Sequence, residues 1–125
     1  MANFPWYHTH METNLHPVLS VRLFTDEKCF GPGVAALLQL VQTCHSLRAA
    51  AMQMGMAYSK AWTIVKSSEE HLGFKLLSST TGGRHGGGAQ LTEQAAALLE
   101  AYTRYCQTLR EFAQRQFAAD FSAFL

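Results

Sequence analysis

Apolar residues recur at helical spacing in three stretches of the chain and alternate with polar residues in two others. Val34, Leu37, Leu38, Val41 and Cys44 stand at i, i+3, i+4, i+7 and i+10, which predicts a helix over 34–44 with one core-facing stripe. Ala61, Val65 and Leu72 share a face of a second predicted helix, 57–72. Ser68 lies on that face too, and its hydroxyl is expected to bond back to the preceding turn. Farther on, Leu91, Ala95, Leu98, Tyr102, Tyr105, Leu109 and Phe112 step by 4, 3, 4, 3, 4 and 3, a seven-residue repeat. Phe117, Phe121 and Phe124 continue the steps after a one-residue slip. Residues 18–24 alternate loosely and read as a strand, followed by a turn at Asp26-Glu27-Lys28. Residues 74–79 read as another strand, and 89–91 as its short returning partner.

The breaks between these stretches define the connections. Phe30-Gly31-Pro32-Gly33 is a sharp entry into the first helix, with proline near its start. Ser46 is the expected N-cap of a short helix containing Ala49, Ala50 and Ala51, whose small side chains let a neighbouring helix approach closely. Gly55 takes the positive φ of a tight turn, and Gly73 stops the helix that follows. A short helix, a glycine turn and a longer helix with polar first turns form a helix-turn-helix pattern. In proteins built this way the second helix meets base edges and phosphates. Its polar edge here carries Tyr58, Ser59, Lys60, Thr63 and Lys66. The hydroxyls suit donation to phosphate or bases, and the lysines suit phosphate or guanine. Trp62 fits a packed anchor better than a base contact.

The two later strands flank Thr80-Thr81-Gly82-Gly83-Arg84-His85-Gly86-Gly87-Gly88. A hairpin with a glycine-rich tip after a helix-turn-helix is a wing; its backbone N–H groups and Arg84 suit a phosphate or the minor groove. The Walker pattern is absent, and no strand-turn-helix context supports a dinucleotide loop. Thr92 caps the last helix, with Glu93 in its first turn. That helix is expected to reach about Phe121, so it is about 45 Å long. This is longer than a small domain is wide, so part of it is expected to pair with a second copy.

Composition adjusts this picture only a little. The 125 residues suit one domain with an appended element, and 48% are hydrophobic, enough for a core. Net charge is +1, but its distribution is uneven. Over 46–88 the bases Arg48, Lys60, Lys66, Lys75 and Arg84 face only Glu69 and Glu70, while each flank carries one more acid than base. Positive charge therefore gathers on the helix-turn-helix and the wing. Cys29, Cys44 and Cys106 are odd in number and lack CxxC spacing, which fits free thiols in a reducing cytoplasm. No apolar run is long enough for a membrane helix, and no secretory signal opens the chain. His8-x-His10 lacks a third ligand, so no metal site is expected; no cofactor is implied. The Cys, His and Glu residues make no nucleophile–base pattern, which argues against an enzyme.

Together, Phe30-Gly31-Pro32-Gly33, Ser46-Leu47-Arg48-Ala49-Ala50, Met56-Ala57-Tyr58-Ser59-Lys60-Ala61-Trp62, Thr81-Gly82-Gly83-Arg84-His85-Gly86-Gly87-Gly88-Ala89 and Leu91-Thr92 resemble a known domain. It is the N-terminal DNA-binding domain of the ModE-type molybdate-responsive regulators, in the LysR-like winged-helix group. The resemblance covers about residues 18–105. It implies a dimeric bacterial transcription regulator, cytoplasmic and nucleoid-associated, with double-stranded DNA as its partner. Two recognition helices would read a palindromic site whose half-sites lie about one turn apart or slightly more. The chain departs from the family at His45, where glycine is usual and a left-handed conformation is expected, and at His85, where lysine or arginine is commoner. It ends after the long helix, so the family's C-terminal molybdate-binding domains are not expected; molybdate sensing is not carried over.

The expected fold is mainly α, an α+β winged helix with an N-terminal strand and a long C-terminal dimerisation helix. Residues 1–17 form an extension, 18–92 the winged helix-turn-helix and 93–125 the long helix. The expected DNA-binding residues are Ser46, Arg48, Tyr58, Ser59, Lys60, Thr63, Lys66, Arg84 and His85. The expected dimer contacts are Leu98, Tyr102, Tyr105, Leu109 and Phe112. A separate effector-binding protein is a candidate partner. A competing reading is a winged-helix interaction module that pairs with a larger regulator without touching DNA.

Overall fold

The computed structural model describes residues 14–80 and 88–125. In chain order they form β1 (Leu23–Phe24), β2 (Lys28–Phe30), α1 (Pro32–Cys44), α2 (Leu47–Gln53), α3 (Tyr58–Leu72), β3 (Leu77–Thr80), β4 (Gly88–Leu91) and α4 (Glu93–Asp120). A short 3-10 turn follows at Ser122–Phe124. β1 pairs antiparallel with β2, and β3 with β4, as two separate hairpins. This is the expected helix-turn-helix with a two-stranded wing and a long last helix.

Residues 20–106 form one compact unit, and the described residues outside it, 14–19 and 107–125, group separately. The core of the first unit is built from Phe30 on β2, Leu37, Leu38 and Val41 on α1, Ala50 and Ala51 on α2, Ala61 and Val65 on α3, and Leu76 before β3. Ala95, Leu99, Tyr102 and Cys106 on α4 complete it. The unit therefore runs past Thr92 into the long helix.

The strand expected over 18–24 shrinks to its last two residues. Its partner β2 occupies the segment read as turn and helix entry, with Leu23 opposite Phe30 and Phe24 opposite Lys28. A three-residue strand is too short to display alternation, so the burial of Cys29 and Phe30 had no periodic signature. Pro32 opens α1 behind Gly31, two residues earlier than the apolar stripe alone indicates.

The α4 stripe separates into two rows. Ala95, Leu99, Tyr102 and Cys106 turn into the core. Tyr102 was expected at a dimer contact; instead it is buried, packs edge-on against Phe30 with centroids 5.1 Å apart, and donates from its hydroxyl to the Val21 carbonyl at 2.7 Å. The neighbouring row runs through Leu98, Tyr105, Leu109 and Phe112: Leu98 and Leu109 are half-buried, while Tyr105 and Phe112 are 55% and 56% exposed. The seven-residue spacing crosses two rows that lie about one helical position apart. Farther along, Phe117 stacks on Phe121 at 4.7 Å.

Candidate nucleic-acid interface

The candidate interface is built on α2, the turn after it, α3 and the wing strands. Ser46 caps α2 as expected: its Oγ accepts from the Ala49 N–H at 3.0 Å. His45, just before it, is the left-handed residue at φ 59°, where a side chain is tolerated less well than glycine. Gly55, at φ 70°, reverses the chain between the helices. Ala50 and Ala51 on α2 and Ala61 on α3 are buried, and their small side chains let the two helices approach closely. Gly73 closes α3 in the left-handed region at φ 88°, its N–H donating to Glu69 O.

With Ala61, Val65 and Ser68 turned inward, α3 leaves Tyr58, Ser59, Lys60, Trp62, Thr63 and Ser67 exposed. Arg48 on α2 lies with its guanidinium 4.2 Å from the Tyr58 ring centroid, so these two site candidates form one cationic–aromatic pair. Thr63 does not keep its hydroxyl hydrogen for an outside partner: its Oγ1 donates to the Ser59 carbonyl at 2.9 Å. Of the chemistry expected at Thr63, acceptance and methyl contact remain, while donation is spent within the helix. Lys66 is engaged as well. Its Nζ is 3.4 Å from Glu69 Oε1 and 5.4 Å from the Trp62 ring centroid. Trp62 is not the packed anchor its type suggested; it is 48% exposed.

Between α3 and the wing base runs a groove of about 430 Å³, lined by Ser46, Arg48, Tyr58, Trp62, Lys66, Ser78, Ser79 and Gly88 over a floor of Leu47, Val65 and Leu77. Its walls carry two cations, two aromatic rings and three serine hydroxyls, a surface suited to an anionic, partly apolar polymer.

Three contacts hold this groove in shape. Glu69, buried on α3, accepts through Oε2 from the N–H groups of Leu76, at 2.8 Å, and Leu77, at 3.3 Å. Burial pushes its pKa up, but the two N–H groups and Lys66 outweigh that and hold it below its ordinary value. The second contact joins the wing to the junction between α1 and α2: Ala89 N–H donates to the carbonyl of His45, the residue that ends α1, at 3.0 Å. A Cβ on Gly88 would stand 2.5 Å from that carbonyl oxygen, so glycine is required there. Third, Thr92 bonds both ways: its Oγ1 donates to Lys75 O at 2.7 Å and accepts from Ala95 N at 3.1 Å, tying the wing base to the α4 start.

Ser68 is explained by a contact other than the expected back-bond. Its hydroxyl donates to the Cys29 carbonyl on β2, so the polar residue on the buried face of α3 pins the first hairpin. No local motif marks Glu69 as an acceptor for Leu76 and Leu77; only its place beside Ser68 on the buried side of α3 sets it apart from Glu70. The groove-lining Ser78 and Ser79 had no motif to mark them. Arg84 and His85 of the wing tip, and the His8 and His10 pair, lie outside the described residues. Among the described residues no three His, Cys, Asp or Glu side chains gather as a metal site, and no helix is long and apolar enough to cross a membrane.

Residues 34–96, spanning α1 through the start of α4, match the family described as bacterial regulatory helix-turn-helix protein, lysR family. Curated relatives resemble the same region. The chain is 35% identical over 84 residues to the transcriptional regulator ModE of Haemophilus influenzae, covering 67% of this chain and 31% of the relative. It is 33% identical over 81 residues to the molybdenum transport protein ModE of Herbaspirillum seropedicae, covering 65% and 30%. It is 36% identical over 67 residues to the molybdenum-pterin-binding protein MopB of Rhodobacter capsulatus, covering 54% and 25%. The chain thus spans about a third or less of the length of these relatives.

Proposed function

The chain belongs to the bacterial regulatory helix-turn-helix proteins of the lysR family, and from that premise we propose that it is a dimeric, sequence-specific regulator of transcription. In this reading α3 enters the major groove, leading with Ser59, Lys60 and Thr63. Ser46, Arg48 and Tyr58 meet the flanking phosphates, and the wing tip with Arg84 and His85 follows the backbone or the minor groove. Tyr105, Leu109 and Phe112 on α4 pair with a second copy.

One observation carries the reading: the second helix of the motif keeps its polar edge uncovered, while its buried edge is braced to the wing through Glu69. A helix that presents polar side chains from a rigid frame is what base recognition needs. The names of the relatives tie them to molybdenum and to transcription, and we infer the same physiological setting for this chain. Their similarity reaches only the matched third, so sensing of an effector is assigned to no residue described above.

Fluorescence anisotropy with random and promoter duplexes tests the proposal. Binding at low salt that weakens steeply as salt rises is expected, since phosphate contacts release counterions. Absence of binding to any duplex at low salt overturns it.

A further inference from the structure

Trp62 is the one large aromatic on the outward side of α3 that the expected roles leave without work. Tyr58 lies under Arg48, but the indole is 48% exposed, and among the described residues its N–H has no hydrogen-bond partner. It stands one turn before Lys66 and one residue from Thr63, and it borders two concavities. One is the groove toward the wing; the other lies beside Glu70, Phe74 and Lys75. The indole is therefore a ridge between hollows, the shape of a probe and not of a core anchor.

Its neighbours narrow what it probes. Lys66 is shared between the ring, at 5.4 Å, and Glu69, at 3.4 Å, so it steadies the indole more than it projects past it. Thr63 has spent its hydroxyl hydrogen on Ser59 and lines a different hollow, beside Pro32 and Ile64, so the indole stands apart from it. The surface presented is thus chiefly apolar. In the major groove the largest apolar feature of a base edge is the C5 methyl of thymine.

Resting on the DNA-binding reading above, we propose that Trp62 is a specificity-determining residue that recognises a thymine methyl, with Lys66 holding the ring. The indole N–H is left to donate to a neighbouring base acceptor or phosphate.

The test uses the full chain and duplexes that it selects from a random pool. Each thymine is replaced in turn by deoxyuridine, which deletes only the methyl. Wild-type protein is expected to lose about fourfold in affinity at one thymine per half-site, the worth of one buried methyl group. Trp62→Ala is expected to bind the thymine and deoxyuridine duplexes alike. Trp62→Phe, which keeps a ring but loses the N–H, is expected to retain discrimination. The side chain is exposed, so the variants should fold, and circular dichroism checks this. Wild type indifferent to every thymine replacement overturns the proposal, as does Trp62→Ala that still discriminates. If the wild type selects sequences but Trp62 carries no methyl preference, this assignment alone fails. If it binds no duplex at all, the DNA-binding reading fails with it.

Discussion

The carboxylate of Glu69 accepts a 2.8 Å hydrogen bond from the backbone N–H of Leu76, seven residues ahead and across the Gly73 stop. That bond fixes the end of α3 against the start of the wing. Replacing Glu69 with Ala leaves two N–H groups without their acceptor in a mostly buried place, a loss of about 1–3 kcal/mol per unsatisfied group. Urea unfolding at neutral pH should show it. The acid is depressed in the folded state despite the opposing effect of burial, because the two N–H groups and Lys66 favour its charged form. Its stabilisation is therefore present above the ordinary carboxylate range and disappears as pH falls through the folded pKa. Glu69→Gln should flatten the acid limb of the stability curve; an unchanged limb would refute the brace.

Much of the frame was legible because it obeys periodic rules. The α1 stripe, the Ser46 cap, the Gly55 and Gly73 breaks and the Thr92 cap are local signals, and each falls where the chain chemistry places it. What escaped was long-range. Ser68 meets Cys29 across 39 residues, and Tyr102 meets Val21 across 81; no local window holds both partners. Trp62 escaped for another reason: residue type favours burial, whereas its place on α3, next to the buried Ala61, turns the ring outward beside Lys66. Of the site itself, the polar edge of α3 could be read, but the internal commitments of Thr63 and Lys66 could not.

Ser68→Ala tests the link between α3 and the first hairpin. It removes a buried donor and leaves the Cys29 carbonyl without its partner. A loss of about 1–3 kcal/mol in urea unfolding is expected. Ser68→Thr keeps the donor but adds a methyl to a packed face, so it should recover only part of the loss. Stability equal to wild type in Ser68→Ala would show that the bond contributes nothing.

His71 gives a stability dependence of opposite sign. The Ser67 carbonyl, 2.9 Å from Nδ1, raises its pKa; desolvation opposes this, and Glu27, Asp26 and Glu70 add to the rise. A raised folded pKa means stabilisation fully present below the ordinary histidine value and lost as pH climbs through the folded one. The His71→Gln variant should therefore differ most from wild type in mildly acidic urea titrations and least at pH 8. NMR titration should place the His71 midpoint above 6.5, the unshifted value.

The contact between His45 and the wing predicts a pair of backbone effects. Gly88→Ala drives a Cβ into the His45 carbonyl at 2.5 Å, and backbone must move. About 1–3 kcal/mol of stability should be lost, by analogy with overpacking, and DNA affinity should fall with it, since the groove wall shifts. His45→Val puts a β-branched residue at φ 59° and should cost more than 1 kcal/mol, while His45→Gly should be tolerated. Thermal unfolding of the three variants, beside anisotropy on a bound duplex, separates the fold effect from the binding effect.

Tyr102 and Tyr105 stand three positions apart on α4 with opposite surroundings, and that contrast separates folding from association. Tyr102→Ala removes a buried ring and its hydroxyl bond to Val21, and should cost about 3–5 kcal/mol of protomer stability. Tyr105 and Phe112 are exposed in the protomer, so changing both to Glu should leave its intrinsic stability nearly as it was. If they meet a second copy, the wild-type urea midpoint rises with protein concentration and that of the double variant does not. Sedimentation velocity should show the variant as a monomer. Because two linked recognition helices gain from effective concentration, its affinity for a palindromic duplex should drop by about 10²–10⁴, while its affinity for an isolated half-site stays the same. A wild-type protein that sediments as a monomer at micromolar concentration would remove α4 as the pairing element and leave each α3 to read DNA alone.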